Sequence, residues 1–357
     1  MEKVKAALVG CGRMGAFTSD KVTNYAPSCW FPLSHLQALT ISNEFIVEAV
    51  CDQSDVILDK IKNNYNIKYL YTDFTDLIDS HKIDLLCIAT RTEGRASIIK
   101  KASDYGVTNF HIEKPLCSST DELNMIERLI RKNKIQITFG TIRRYMEIYK
   151  EAKNLVKSGK FGELTQIDVN LGYGNLYWSH PHSVDIGLFF MNDEMPAKVQ
   201  ACLGKIDLNS SGKKIIVQND PKIENASMYF HNGVVCRIGK GGNCDVKLIC
   251  EGGTVKIDAD GARILIQEIK NGNSYMDYPP VVINDITNEN QGTYAALKYH
   301  IKSISEENLS IDSAHILKGQ NILFSFILSH IKNSALINPS SQNNNIIINA
   351  YSGGNYA

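Results

Sequence analysis

The sequence has little that would carry it to a membrane, a nucleic acid or an oxidising compartment. No apolar run approaches the roughly 20 residues that span a bilayer, and the first residues lack a signal-peptide pattern. Its 38 basic and 38 acidic side chains cancel, and no lysine or arginine run occurs, which disfavours nucleic-acid and membrane-surface partners. The nine cysteines (Cys11, Cys29, Cys51, Cys87, Cys117, Cys202, Cys236, Cys244 and Cys250) include no C-x-x-C pair, and several fall inside apolar strands. They read as reduced, buried small hydrophobes, neither disulfides nor zinc ligands, and the expected compartment is the cytoplasm. What the chain does have, over 357 residues that are 43% hydrophobic and 21% charged, is enough apolar material for two domains.

The most informative stretch is Lys3 to Gly15, where an apolar run (Val4, Ala6, Ala7, Leu8, Val9) leads into Gly10-Cys11-Gly12-Arg13-Met14-Gly15. It reads as a buried strand turning into a helix over a dinucleotide pyrophosphate. In that reading Gly10 permits the tight turn, Gly12 lets the backbone approach the phosphates, and Gly15 lets the helix pack against the strand. A second strand pattern, Phe45 to Cys51, ends at Asp52, whose carboxylate suits a ribose hydroxyl pair. The following Gln53-Ser54-Asp55 offers no cation for a 2′-phosphate, so NAD is favoured over NADP. Asp52 stands 37 residues after Gly15 where the motif leads one to expect about 20, so the chain carries an insertion or a long helix there. Residues 16–34, with Pro27, Trp30, Phe31 and Pro32 and poor helical periodicity, are read as a loop inserted into the first helical region. It either walls the crevice or packs its own aromatics on the surface.

Strand and helix patterns then alternate through Ile83 to Ala89, Gly94 to Tyr105, Val107 to Ile112, Thr120 to Asn133 and Gln136 to Phe139, which predicts a parallel, doubly wound sheet. After Gly140 comes one helix, Tyr145 to Lys157, then a series of alternating strand patterns from Leu164 to Ile269, and helices again around Tyr294 to Ser305 and Ala314 to Asn333. The expected division is a nucleotide-binding α/β domain over 1–142, an α+β domain with a large, mostly antiparallel sheet over 143–336, and a polar tail over 337–357. The second sheet is expected to be helix-covered on one face and free for another subunit on the other, giving a homo-oligomer, dimer or tetramer. The tail reads as poorly packed, or as an edge strand through Ile346-Ile347-Ile348.

The chemistry-bearing segment of the first domain is His111-Ile112-Glu113-Lys114-Pro115, at the C-terminal end of a buried strand. Ligands of doubly wound sheets sit at such ends, so Lys114 should point into the crevice, with a lowered pKa that lets it exchange a proton with a substrate hydroxyl. Further on, His180-Pro181-His182 at the start of a helix makes a second proton-transfer station, and Asp185, one turn on, is placed to orient a ring nitrogen. Tyr173, Asn175, Tyr177 and Trp178 would shape a pocket for a polyhydroxylated ligand. H-x-H plus Asp without a further strong ligand does not make a metal site. Arg91 and Arg95 are read as surface salt-bridge formers, with contact to substrate or phosphate as the alternative.

With the glycine loop, Asp52, Ala89-Thr90, Glu113-Lys114-Pro115, Arg144-Tyr145 and Gly159-Lys160-Phe161-Gly162-Glu163 in this order, the chain resembles the Gfo/Idh/MocA family over roughly residues 3 to 336. The resemblance implies NAD(P)-dependent redox chemistry on sugars, sugar derivatives or cyclitols. It implies that Gly10, Gly12, Arg13, Met14, Gly15, Asp52, Ala89, Thr90, Glu113 and Lys114 hold the dinucleotide, and that Lys114 and His182 are catalytic. His180, Asp185, Trp178, Tyr177 and Arg144 then contact substrate. The sequence departs from the family where many members carry D-x-G-x-H followed three residues on by Asp: Trp178 stands at the acid position and His180 at the glycine. The reading that follows is a dehydrogenase or reductase acting on a sugar-type alcohol or its ketone. A cofactor-retaining epimerase, lyase or hydrolase, and a non-catalytic NAD-binding regulator, are the alternatives.

Overall fold

The computed structural model describes residues 2–242, 244–269, 280–284, 291–305, 311–341 and 343–350. The apolar runs of the first part become six short strands, β1 Val4–Val9, β2 Phe45–Cys51, β3 Tyr69–Tyr71, β4 Leu85–Ile88, β5 Asn109–Ile112 and β6 Gln136–Phe139. All pair in parallel, in the order β3-β2-β1-β4-β5-β6. The chain reverses direction across the sheet between β1 and β4, and ligands of doubly wound sheets lie outside the strand ends at such a point. Six helices connect these strands: α1 Asp20–Tyr25, α2 His35–Thr40, α3 Asp55–Asn64, α4 Phe74–Ser80, α5 Arg95–Asp104 and α6 Thr120–Asn133. The strands are continuous apolar runs because both faces are covered; Leu8, Leu85, Leu86, Phe110 and Ile112 are fully buried. Each such side chain contributes about 1.5–3 kcal/mol relative to exposure.

The second part adds α7 Glu147–Lys157 and β7 Leu164–Asn170, then α8 Pro181–Phe190, β8 Lys198–Leu203, β9 Leu208–Ser211, β10 Lys214–Val217, β11 Ile223–Tyr229, β12 Val235–Gly239, β13 Asp245–Cys250, β14 Gly253–Asp258, β15 Arg263–Glu268 and β16 Val281–Asn284. Eight of these strands form one mixed sheet, β16-β15-β14-β13-β7-β12-β11-β8, in which only β12 and β7 run parallel. Its inner side chains, among them Ile167, Val169, Cys236, Ile238, Val246 and Leu248, are buried under α7, α8 and α10 Ala314–Ile331. The outer set is polar, with Gln166, Asp168, Arg237, Lys247 and Lys256 alternating with the core residues. The helix expected from Tyr145 starts at Glu147, because Ile142–Tyr145 is a 3-10 turn.

Three segments lie elsewhere than their position in the sequence suggested. The α9 helix Gly292–Ser305 packs on the first sheet: Tyr294, Leu297 and Ile301 share a core with Val4, Leu8 and Leu36. The segment 16–34 is not a free loop. It holds α1 and a 3-10 turn, Ser28–Trp30, and crosses to the β14–β15 turn, where the Trp30 indole donates to Asp260 O (3.1 Å) and the Cys29 thiol to Gly261 O (3.5 Å). Against α9, the Thr293 hydroxyl donates to Leu33 O (2.6 Å). The tail, finally, is packed as far as it is described: β17 Asn345–Ile348 pairs in parallel with β10, which pairs with β9 in a separate three-stranded sheet. Ile346 and Ile348 are buried there, so the edge-strand alternative is the one the chain adopts; 351–357 lie outside the described residues. All nine thiols are free, six of them buried.

Candidate active site

The glycine loop meets the fold at the reversal point. Gly10 has φ +89°, and a Cβ there would stand 2.6 Å from Thr90 N and 2.7 Å from the Ala89 carbonyl carbon, so glycine is what lets the loops after β1 and β4 touch. A Cβ on Gly15 would lie 2.0 Å from Gly10 O; this glycine lets the turn fold back on itself. A Cβ on Gly12, by contrast, would meet nothing within 4 Å, which leaves that side of the loop open for a ligand's phosphates. The helix resumes beyond the insertion: His35 N donates to Met14 O (2.9 Å) and Leu36 N to Gly15 O (2.8 Å). Asp52 closes β2 beside this loop, with Oδ2 accepting from Cys11 N (2.7 Å) and Oδ1 from Ser54 N (3.0 Å). The open face at Gly12 and an anchored carboxylate at the end of β2 fit a dinucleotide with an unmodified ribose.

Beyond β5, the Lys114–Pro115 peptide is cis. Glu113 is buried; it pairs with His35 Nε2 (3.2 Å) and accepts from Lys114 N (3.2 Å), and a Cβ on Gly140 would press on its carboxylate. Burial pushes the Glu113 carboxyl up, but His35, Lys114 and Arg95 outweigh that and hold it below its ordinary value. Behind it runs a buried polar chain in which His35 stacks on His111 at 4.6 Å and Thr138 Oγ1 joins His111 Nδ1 (2.9 Å) to His300 Nε2 (2.8 Å). Arg95, expected at the surface, is buried, and its guanidinium donates to Glu113 O, Pro115 O and Thr90 O, tying the ends of β4 and β5 together. Arg91 is exposed, and the Thr90 hydroxyl donates to Arg91 O (2.9 Å).

Lys114 reaches out of this frame toward the second domain. Its ammonium donates to Trp178 O (2.7 Å) and stands 4.0 Å from the centre of the Trp178 ring. The Arg13 guanidinium, from the glycine loop, lies 5.4 Å from the same ring. Cofactor loop, lysine and second-domain run therefore meet at one indole. Burial pushes the Lys114 amine down to about 8, with Glu113 opposing and Arg13, Arg95 and Arg143 assisting. His182 faces the same group of cations; burial, then Arg143, Lys114 and His180, holds its imidazole well below the ordinary value, so it is neutral. His180 is buried, pairs through Nδ1 with Ser183 Oγ (3.0 Å), and is pushed by burial down to about 4.

Two expected partners point elsewhere. Asp185 does not orient a histidine: both its oxygens accept from Arg144 Nε (2.9 and 3.0 Å), and Arg144 also pairs with Asp193 (2.8 Å). The Arg144 guanidinium is engaged by the two carboxylates of Asp185 and Asp193. Tyr177 is a core residue, its ring against Phe324 and its hydroxyl accepting from Gln320 Nε2 (3.5 Å). Gln320 also takes Leu116 N (3.2 Å), which joins α10 to the segment after Lys114. Of the residues expected on the substrate side, Lys114, Trp178, His180 and His182 are the ones brought together.

Residues 4–141 match the oxidoreductase family with an NAD-binding Rossmann fold, GFO_IDH_MocA. That match takes in the nucleotide-binding part of the chain, 138 of its 357 residues. An uncharacterised oxidoreductase of Bacillus subtilis is 24% identical over 210 residues, which are 54% of this chain and 55% of that protein. Inositol 2-dehydrogenase of Salmonella typhimurium is 29% identical over 166 residues, 45% of this chain and 43% of that enzyme. The chain thus spans about half the length of the curated relatives it matches. The structure of scyllo-inositol dehydrogenase from Lactobacillus casei, 19% identical, superposes with a TM-score of 0.67 over 95% of this chain and 99% of that one, so the likeness in fold extends through the second domain.

Three residues that act on the backbone have no such role legible in the sequence. Arg95 holds three carbonyls, Gln320 bridges Leu116 and Tyr177, and Asp220 accepts from two consecutive amides, Tyr177 N (2.8 Å) and Trp178 N (2.9 Å). Asp220 stands in the polar run Gln218-Asn219-Asp220-Pro221-Lys222, which reads as a turn, and its distance from Trp178 in the sequence hides the contact.

Proposed function

We propose that this protein is an NAD-dependent dehydrogenase or reductase acting on a sugar-type or cyclitol alcohol and the corresponding ketone. The observation that carries this reading is the meeting of Arg13, Lys114 and Trp178, which sets an amine shifted to about 8 beside the open face of the glycine loop. Bound NAD would supply the hydride acceptor, with its phosphates along Gly10, Gly12 and Gly15 and its ribose at Asp52. Lys114 is the group whose pKa lies close to working pH, so in the oxidative direction its neutral amine takes the hydroxyl proton, and in reduction its ammonium returns it. Neutral His182, beside it, accepts a substrate hydrogen bond or passes the proton on. The Trp178 ring gives the C–H face of a ring substrate an apolar wall, while His180 closes the floor.

Names of the matched relatives support cyclitols as the first class to try. The test is a panel of cyclitols, aldoses and 2-hydroxy acids with added NAD, followed by NADH formation; the reading expects turnover on a ring polyol, and turnover confined to hydroxy acids would sink it. A second reading, in which the dinucleotide is retained and the hydride returned to the same molecule, draws on segment 16–34, which leaves the glycine loop and is fastened to the second domain at Asp260 and Gly261. Nicotinamide co-purifying with the protein, together with turnover that needs no added NAD, would select it. The same proposal includes self-association through the outer face of the eight-stranded sheet, to be checked as mass in solution by light scattering. The nine free thiols suit a reducing compartment such as the cytoplasm.

A further inference from the structure

Lys114 has no carboxylate within ion-pair distance of its ammonium among the described residues; the partner it has is the carbonyl of Trp178. Trp178 is fixed from its other side. Residues 174–178 lie along 220–223 through main-chain bonds, Leu176 N to Pro221 O (2.8 Å) and Ile223 N to Gly174 O (3.3 Å). Asp220 then clasps the end of the run, Oδ1 on Tyr177 N (2.8 Å) and Oδ2 on Trp178 N (2.9 Å). Trp178 is therefore held at both ends of its backbone, its N–H by a carboxylate and its carbonyl by the ammonium.

We infer that Asp220 is the positioning residue for Lys114: by clasping two consecutive amides it fixes the backbone of Trp178, whose carbonyl holds the ammonium, and it supplies, from the second domain, a negative charge facing that ammonium. The role rests on the reading of Lys114 as the proton-transfer group. Burial pushes the Asp220 carboxyl up to about 6, with the two amides and Lys114 opposing, so it is ionised where Lys114 titrates. The other groups around Lys114 are Glu113, which favours its charged form, and Arg13, Arg95, Arg143 and His182, which crowd it with cations and a neutral ring. Asp220 is faced by Lys114 and by the buried Tyr177 hydroxyl. Lys114 favours the charged form of Asp220, and such a coupling is reciprocal, so without the Asp220 charge the Lys114 amine should lose its proton at lower pH.

The test is a titration that needs neither cofactor nor substrate: NMR of protein labelled at the lysine side-chain carbons, with the Lys114 signal assigned by its loss in Lys114→Arg. Wild type should titrate near 8. Asp220→Asn should titrate about one pH unit lower, and Asp220→Glu should return close to wild type. Asp220→Ser, which keeps an acceptor but no charge, carries the same test if the asparagine variant does not fold. A midpoint unmoved in a folded, charge-less variant would overturn the inference and leave Asp220 a purely structural clasp. Turnover on a cyclitol separates the two levels: an inactive Lys114→Ala beside an unshifted Asp220→Asn overturns only the part given to Asp220, whereas an active Lys114→Ala removes the reading beneath it and the inference with it.

Discussion

The two walls of the crevice are built on different plans. At the glycine loop, the constraints belong to the backbone and are local in sequence: Gly10, Gly12 and Gly15 lie within six consecutive positions, and each does its work by lacking a side chain. On the facing wall, the constraints are side chains reaching distant segments, Arg144 to Asp185 and Asp193, Arg143 to Asp260, and Asp220 to the Trp178 amide. A backbone device has to be the same wherever a dinucleotide is bound, while a side-chain device is free to change with the substrate. The glycine loop and Glu113-Lys114-Pro115 accordingly fit the pattern the chain resembles, while Trp178 stands where that pattern has an acid.

Variants of the two walls should fail in different ways. Gly15→Ala, whose methyl would lie 2.0 Å from Gly10 O, should bring the largest loss, abolishing NAD binding and lowering stability; Gly12→Ala, facing open space, should fold like wild type and lose NAD affinity alone. Calorimetric titration with NAD and thermal melts separate these outcomes, and equal damage to both folds would break the contrast. Across the domain boundary, Asp260→Asn strips the buried Arg143 of its partner at 2.6 Å and loosens the turn that anchors Trp30, at a cost of about 3 kcal/mol read from chemical denaturation.

A smaller effect is expected from acid. Burial holds His300 and His315 at about 3 and His180 at about 4, below the unfolded value near 6.5. Protons then bind the unfolded chain first, so this contribution is fully present above pH about 6.5 and is lost as pH falls toward the folded values. Melting temperature against pH between 7 and 4 should decline in that window, more gently in a His300→Gln variant that keeps its fold. The smallest effect belongs to Trp178→Phe, which retains a ring near Lys114 and Arg13 and should weaken substrate binding by about 0.5–1 kcal/mol in KM, with NAD affinity unchanged.

Legibility followed the same division. The places of the glycine loop, Asp52 and Lys114 just beyond β1, β2 and β5 were readable because periodicity and glycine spacing report local backbone geometry. The parallel first sheet followed from strand–helix alternation, and the mixed second sheet from shorter alternating runs. Asp185 was assigned to His182 because they share a helix face in sequence, yet the stronger partner, Arg144, arrives from 41 residues away and takes both carboxylate oxygens. Arg95 looked like a surface cation because nothing local shows three carbonyls converging on it. The destination of residues 16–34 was equally hidden, since Trp30 finds its acceptor 230 residues further along the chain.

The most direct test of Lys114 as the proton-transfer group is the turnover of Lys114→Ala with NAD and the best ring polyol, measured beside its NAD affinity. Turnover should fall by about two to four orders of magnitude while NAD binds as in wild type. Turnover within about threefold of wild type, the smallest change expected of a group outside the chemistry, would contradict it.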